Sequence, residues 1–163
     1  MERLWSPWRA KYTASGGGSD SDSSGCVFCD ISRDVENDEK NFVLYRSLHC
    51  FVILNLYPYI SGHLLVVPYE HVAELDAAAK ETTDELMDLT KRSQKVLREV
   101  YNPAGFNVGL NLGVSAGAGI VGHIHLHILP RWTGDTNFMS TIGETRVISE
   151  DLTTTYSRLR DKF

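Results

Sequence analysis

The sequence predicts an α+β domain built on a five-stranded antiparallel sheet and one long helix. Three observations carry that prediction. Short apolar runs of strand length lie on both sides of one long segment of helical periodicity. Turn residues punctuate the early runs, at Tyr57-Pro58 and Ser61-Gly62. No internal repeat occurs at solenoid spacing.

The first three strands fall within 41–68: Phe42-Val43-Leu44-Tyr45, Cys50-Phe51-Val52-Ile53-Leu54 and His63-Leu64-Leu65-Val66-Val67, which read as an antiparallel meander. Between Thr82 and Val100 the apolar residues Leu86, Leu89, Val96, Leu97 and Val100 recur at steps of three, four and seven, the signature of an amphipathic helix. Thr82 or Thr83 is placed to cap its start. Two further strand-length segments follow, at 106–112 and 122–129.

Length and composition bound the function. A chain of 163 residues, 42% hydrophobic and 23% charged, is one ordinary soluble domain, able to bury roughly two thirds of the surface its unfolded form exposes. No apolar run approaches the ~20 residues of a membrane helix, so no membrane partner is expected. The first residues mix charge with aromatics and lack the pattern of a secretory signal, which makes the cytoplasm the expected location. A net charge of -5 argues against broad binding to nucleic acid, yet a pocket can still be locally positive for a small anion.

Residues 15–25 are nearly all Ser, Gly and Asp, the composition of a flexible linker. They separate an aromatic arm at 1–14, carrying Trp5, Trp8 and Tyr12, from a single domain at 26–163. The arm's apolar area is expected to dock on the body or on a second subunit.

The segment Gly122-His123-Ile124-His125-Leu126-His127-Ile128-Leu129-Pro130 alternates with period two. On a strand, Ile124, Leu126 and Ile128 then face the core while His123, His125 and His127 share the opposite, solvated face. Neighbouring histidines on that face stand about 6.6 Å apart at Cα and the outer two about 13 Å, too far for all three to ligate one ion within ~2.1 Å. A polar sheet face and a two-histidine metal pair are the competing readings; three imidazoles in register on an otherwise apolar strand favour three separate tasks.

The run of alternating histidines followed by Pro130-Arg131, together with Leu54-Asn55, Gly62-His63, the long helix and Asn111-Leu112-Gly113, resembles the histidine triad (HIT) superfamily of nucleotide hydrolases and transferases over roughly residues 26–135. The resemblance implies a HIT-like fold with one long and one short helix, paired into a homodimer, a nucleotide substrate and a covalent nucleotidyl-histidine intermediate. By it, His125 is the nucleophile, His127 a donor to a phosphate oxygen or leaving group, and His63 a supporting residue. Asn55 is then expected at the ribose or base edge and Asn111 at phosphate. The family's polar residue three or four positions before the first histidine is missing: the loop reads Ser115-Ala116-Gly117-Ala118-Gly119-Ile120-Val121. Ser115 and the backbone around Gly117 and Gly119 are the substitutes at hand.

Cys26-Val27-Phe28-Cys29 has the spacing of a zinc knuckle; a redox dithiol and two incidental cysteines are the alternatives. Some branches of the superfamily, including galactose-1-phosphate uridylyltransferases, complete such a pair with a histidine ahead of the helix and the first triad histidine. The matching residues are His71 and His123, giving a structural zinc site of Cys26, Cys29, His71 and His123. Leu4-Trp5-Ser6-Pro7-Trp8-Arg9, Leu54-Asn55-Leu56-Tyr57-Pro58-Tyr59, Phe106-Asn107-Val108-Gly109-Leu110-Asn111 and Pro130-Arg131-Trp132 together look more like a bacterial branch that includes diadenosine tetraphosphate phosphorylases than like the phosphoramidase branch. That likeness implies inorganic phosphate as an acceptor; a phosphoramidase and a non-catalytic nucleotide- or zinc-binding module are the alternatives.

Overall fold

Apolar runs of the central strands and the stripe on the long helix generate two cores on opposite faces of one sheet. The computed structural model describes residues 25–137, 140, 142–143 and 148–163. The arm expected at 1–14 and the linker at 15–25, Gly25 excepted, lie outside the described residues. Helix α1 (Val27–Arg33) leads into strands β1 (Val43–Arg46), β2 (Cys50–Leu54) and β3 (Leu64–Pro68); helix α2 (Lys80–Tyr101), strands β4 (Gly105–Leu110) and β5 (Leu126–Arg131) and helix α3 (Leu152–Leu159) follow. All neighbouring strands pair antiparallel in the order β1-β2-β3-β5-β4. The five-stranded antiparallel sheet is the one expected; among the described residues the long helix has two short companions, α1 and α3, where one was expected.

Strands β2 and β3 are buried at every position, as continuous apolar runs dictate. Cys50, Val52, Leu54, Leu64 and Val66 pack with Leu86, Leu89, Val96 and Leu97 of α2 and Tyr156 and Leu159 of α3. Phe51, Ile53, Leu65 and Val67 point the other way and meet Phe28 and Ile31 of α1. Covering both faces removes water from both, at about 1.5–3 kcal/mol for each large apolar side chain.

Two local expectations are corrected. Helix α2 starts at Lys80 with Ala79 as N-cap, and neither Thr82 nor Thr83 caps it. The cap is tertiary: Glu70 Oε2 accepts from Ala79 N and from Thr82 Oγ1, so a carboxylate from the preceding loop satisfies the first turn. The last strand begins at Leu126 rather than Gly122, because Ile124 N–H donates to Val72 O, 2.8 Å away, outside the ladder. The strand expected at 106–112 is β4, ending at Leu110.

Gly62, ahead of β3, has φ +76° and its missing Cβ would lie 3.2 Å from Leu97 Cδ2 and 3.3 Å from Pro130 Cγ. Gly62→Ala is therefore expected to cost about 1–3 kcal/mol, from left-handed strain plus overpacking. Thermal melting checks this; an unchanged midpoint would contradict the tight turn that delivers His63.

Candidate active site and metal centre

The pleat of β5 still sorts the histidine segment as its alternation dictates. Ile124, Leu126 and Ile128 join the α2 core, and the three histidines project to the opposite face. That face is not solvated, which corrects the sequence reading. His123, His125 and His127 are 0%, 6% and 8% exposed. The reason is α1: Leu65, paired with His127 across the ladder, belongs to the core that α1 covers, and the Phe28 ring lies 5.4 Å from His123 and 5.1 Å from His125. Room remains toward β4, where His127 pairs with Gly109, whose missing Cβ would meet nothing within 4 Å.

The histidines have different surroundings. His123 turns its Nδ1 toward the cysteines, 3.4 Å from Cys26 Sγ and 3.6 Å from Cys29 Sγ, while His71 Nδ1 stands 3.2 Å from Cys29 Sγ. The four potential ligand atoms all lie within 4.8 Å of one another. Tetrahedral zinc with thiolate and imidazole ligands sets its donor atoms about 3.3–3.8 Å apart, so the residues present fit that ion. The outer nitrogen of His123, Nε2, donates to Pro68 O at 2.9 Å, which leaves the Nδ1 lone pair aimed into the cluster. Burial holds His123 down near 4, hence neutral and able to ligate. Burial and then the adjacent Cys26 push the Cys29 thiol up to about 11, so a cation is needed to keep it a thiolate.

His125 Nδ1 donates to the carbonyl oxygen of His123 at 2.9 Å. A carbonyl only accepts, so the proton sits on Nδ1 and the lone pair on Nε2. Burial lowers the pKa of His125 against the opposing effect of that hydrogen bond, and the ring is neutral at neutral pH. Beside it, 5.0 Å between ring centroids, lies His127, whose Nδ1 is 2.9 Å from His63 Nε2. Tyr59 N–H donates to His63 Nδ1. The chain of donors therefore fixes every proton: His63 carries its own on Nε2 and gives it to His127 Nδ1, which leaves the His127 proton on Nε2. His123 and His125 do not converge on one ion, against a two-histidine catalytic metal pair, and the cluster contains no carboxylate.

Residues 36–134 match the family described as the HIT domain. The chain belongs to the HIT domain family. Over 154 residues the HIT protein is 42% identical to an AP-4-A phosphorylase of Mycobacterium tuberculosis, spanning 92% of this chain and 78% of that one. It is 37% identical over 94 residues, 57% of this chain and 50% of the other, to the asymmetrical bis(5'-nucleosyl)-tetraphosphatase of Schizosaccharomyces pombe. The crystal structure of a Zn-bound histidine triad family protein from Mycobacterium smegmatis superposes with a TM-score of 0.69 at 30% identity, covering 86% of this chain and 94% of that one.

The remaining candidate residues of this HIT chain are less uniformly placed. Asn55 is half-buried and partly engaged: its Oδ1 accepts from Tyr57 N and its Nδ2 is 3.3 Å from His63 Nδ1. Asn111 lies one residue past β4, where the ladder register continued would set it abreast of His125. Ser115 and Gly117 are exposed and Gly119 half-buried. A 3-10 turn at Val114–Ala116 ends at Gly117 with φ 85°, a turn that only glycine adopts without strain. Phe28, Tyr59 and the carbonyls of Pro68 and His123 were not among the sequence candidates. Phe28 sits inside the Cys26–Cys29 spacing and could have been flagged there, whereas a carbonyl carries no side-chain signal.

A cavity of about 340 Å³ beside α1 is lined by Val27, Asp30, Ile31, Asp34, Lys40, Asn41 and Leu56. Among the described residues no helix is long and apolar enough to cross a membrane.

His63 is 1% exposed, and burial pulls its pKa down to about 3. The unfolded chain takes up a proton here near pH 6.5 while the folded chain does not. Stability from this group is thus complete above pH 6.5 and lost as pH falls toward 3, by up to ~1.4 kcal/mol per unit. Denaturation at a series of pH values should show a shallower acid slope for His63→Gln; identical slopes would contradict a neutral buried His63.

Proposed function

We propose that this protein is a nucleotidyl transferase or hydrolase of dinucleoside polyphosphates, of the diadenosine tetraphosphate phosphorylase or hydrolase type, with His125 as nucleophile. The observation that carries the reading is the Nδ1–H of His125 bound to the His123 carbonyl, which presents a neutral Nε2 lone pair. The tetraphosphate relatives favour the substrate class.

His125 Nε2 attacks the phosphorus next to one nucleoside; an N–P bond forms and the P–O bond to the remaining polyphosphate breaks. The ring becomes cationic in that step, and its Nδ1–H bond to the carbonyl strengthens. The leaving polyphosphate departs as an anion, so it needs a hydrogen bond more than a proton, and His127 Nε2–H is the donor that His63 holds in place. Inorganic phosphate or water then attacks the same phosphorus and frees His125. Asn55, Asn111, Ser115 and the backbone at Gly117 and Gly119 are assigned to hold nucleotide and phosphates.

Cys26, Cys29, His71 and His123 would hold a structural zinc ion, which supplies a crosslink and stays outside the reaction. Through them α1 and the 69–79 loop are tied to the segment bearing His125. A homodimer in the cytoplasm completes the assignment, following the family resemblance. The tight burial of His125 is the observation on the side of a non-catalytic nucleotide- or zinc-binding module.

Incubation with diadenosine tetraphosphate, with and without labelled inorganic phosphate, tests the function by product mass. Label in a nucleoside diphosphate identifies a phosphorylase and unlabelled mononucleotide a hydrolase; binding with no product sinks the enzymatic reading. His63→Ala is expected to lower kcat by about 10²–10³-fold, because His127 loses its fixed proton, with KM changed far less. An equal rise in KM with kcat intact would assign His63 to binding.

A further inference from the structure

We propose that Cys26 and Cys29 form a peroxide-sensitive latch on the catalytic segment: their oxidation to a disulfide ejects the metal and unfastens the residues that carry His125. The inference rests on the metal site and nucleophile proposed above.

Residues 122–125 precede the first ladder pair of β5, so sheet hydrogen bonding does not fix them. They are held by Ile124 N–H to Val72 O, by His123 Nε2–H to Pro68 O, and by the cluster itself. The first of those bonds lies directly beside the proposed ligands: Val72 follows His71 and Ile124 follows His123. One ion thus clamps the two loops at the point where their single backbone bond forms. His125 depends on the same clamp, because its Nδ1 donates to the carbonyl of the ligand His123.

The cysteines suit oxidation. They are three residues apart, at the N-cap and in the first turn of α1, with sulfurs inside the 4.8 Å span of the cluster. Cys26 is partly exposed and Cys29 buried, which gives an attacking sulfur and a resolving one. Cys50 is fully buried in the core on the other face of the sheet, bonded to Thr82 O, and is no competitor.

The Cys26 thiolate attacks one peroxide oxygen; the O–O bond breaks, giving a sulfenic acid and hydroxide. The Cys29 thiolate then attacks Cys26 Sγ, the S–O bond breaks and a second hydroxide leaves. Two thiolates, one hydrogen peroxide and two protons yield one disulfide and two waters, with two electrons passing from sulfur to peroxide. The S–S bond closes to about 2.05 Å and withdraws both anionic ligands. Two neutral imidazoles remain, too few to retain zinc.

The test uses the full chain loaded with Zn²⁺ and titrated with hydrogen peroxide. Released zinc is followed with a chromophoric chelator, the disulfide by non-reducing peptide mapping, and the Ile124 amide by hydrogen exchange. One disulfide between Cys26 and Cys29 and one zinc per chain should appear in step, with Ile124 exchange at least tenfold faster, reversed by dithiothreitol plus Zn²⁺ and unaltered in Cys50→Ala. Zinc retained after the thiols are consumed, zinc lost with Ile124 protection intact, or a chain that takes up no zinc would each overturn the proposal. Absence of turnover by untreated protein would refute the proposed function alone, since none of these three readouts requires catalysis.

Discussion

Replacement of His125 by alanine is expected to lower kcat/KM for diadenosine tetraphosphate by about 10⁴-fold or more, because the residual route must proceed without the proposed covalent step. The fold should survive. The ring is 6% exposed but contributes one local hydrogen bond, to a carbonyl two residues away in its own segment. Loss of a buried ring with a cavity left beside Phe28 costs about 2–4 kcal/mol, within what an ordinary domain withstands. Steady-state kinetics with a melting curve separates the two effects. A variant that folds and retains even a tenth of the rate would assign the chemistry elsewhere. His127→Ala should be milder, since a hydrogen-bond donor to an anionic leaving group is worth less than the nucleophile.

Removal of the proposed zinc ion is expected to have the second large effect, on stability first and activity second. With metal at ~1,000 times its dissociation constant, occupancy stabilises the fold by about 4 kcal/mol. At roughly 2–4 °C per kcal/mol for a domain of this size, chelation should lower the melting temperature by about 8–16 °C. Cys29→Ser should match the chelated protein and fail to respond to added zinc. The physical basis is the span of the four proposed ligands: Cys26 and Cys29 sit at the start of α1, His71 beyond β3 and His123 ahead of β5. Equal melting with and without chelator would show that the thiols and imidazoles are held by packing alone.

Much of the fold was legible because its elements are unambiguous one by one. The uninterrupted apolar runs of β2 and β3 demand burial on two faces, and Leu86, Leu89, Val96 and Leu97 define one stripe on α2. The boundaries that escaped were decided by tertiary partners. Glu70 capping α2 and Val72 drawing Ile124 out of the ladder are contacts between segments distant in sequence, which no local pattern announces.

The site divides in the same way. Which histidines share a face follows from the pleat, but whether that face meets water depends on what covers it. Phe28 comes from α1, whose seven residues give too short a period to be recognised. The division of labour among the imidazoles was readable only as a spacing argument. The proton positions that give it chemical content depend on Pro68 O, His123 O and Tyr59 N, backbone groups without a signature of their own.

The proposed chemistry turns on a bond between Nε2 of His125 and phosphorus, and rapid quenching reads that bond directly. Protein mixed with diadenosine tetraphosphate, quenched in alkali within the first turnover and mapped by peptide mass spectrometry should carry one adenylyl group on His125. The adduct should disappear on addition of phosphate or on longer incubation with water, and should be absent from His125→Ala. Turnover with no adduct on any peptide, or an adduct on His127 or His63 instead, would contradict the assignment of His125 as the nucleophile.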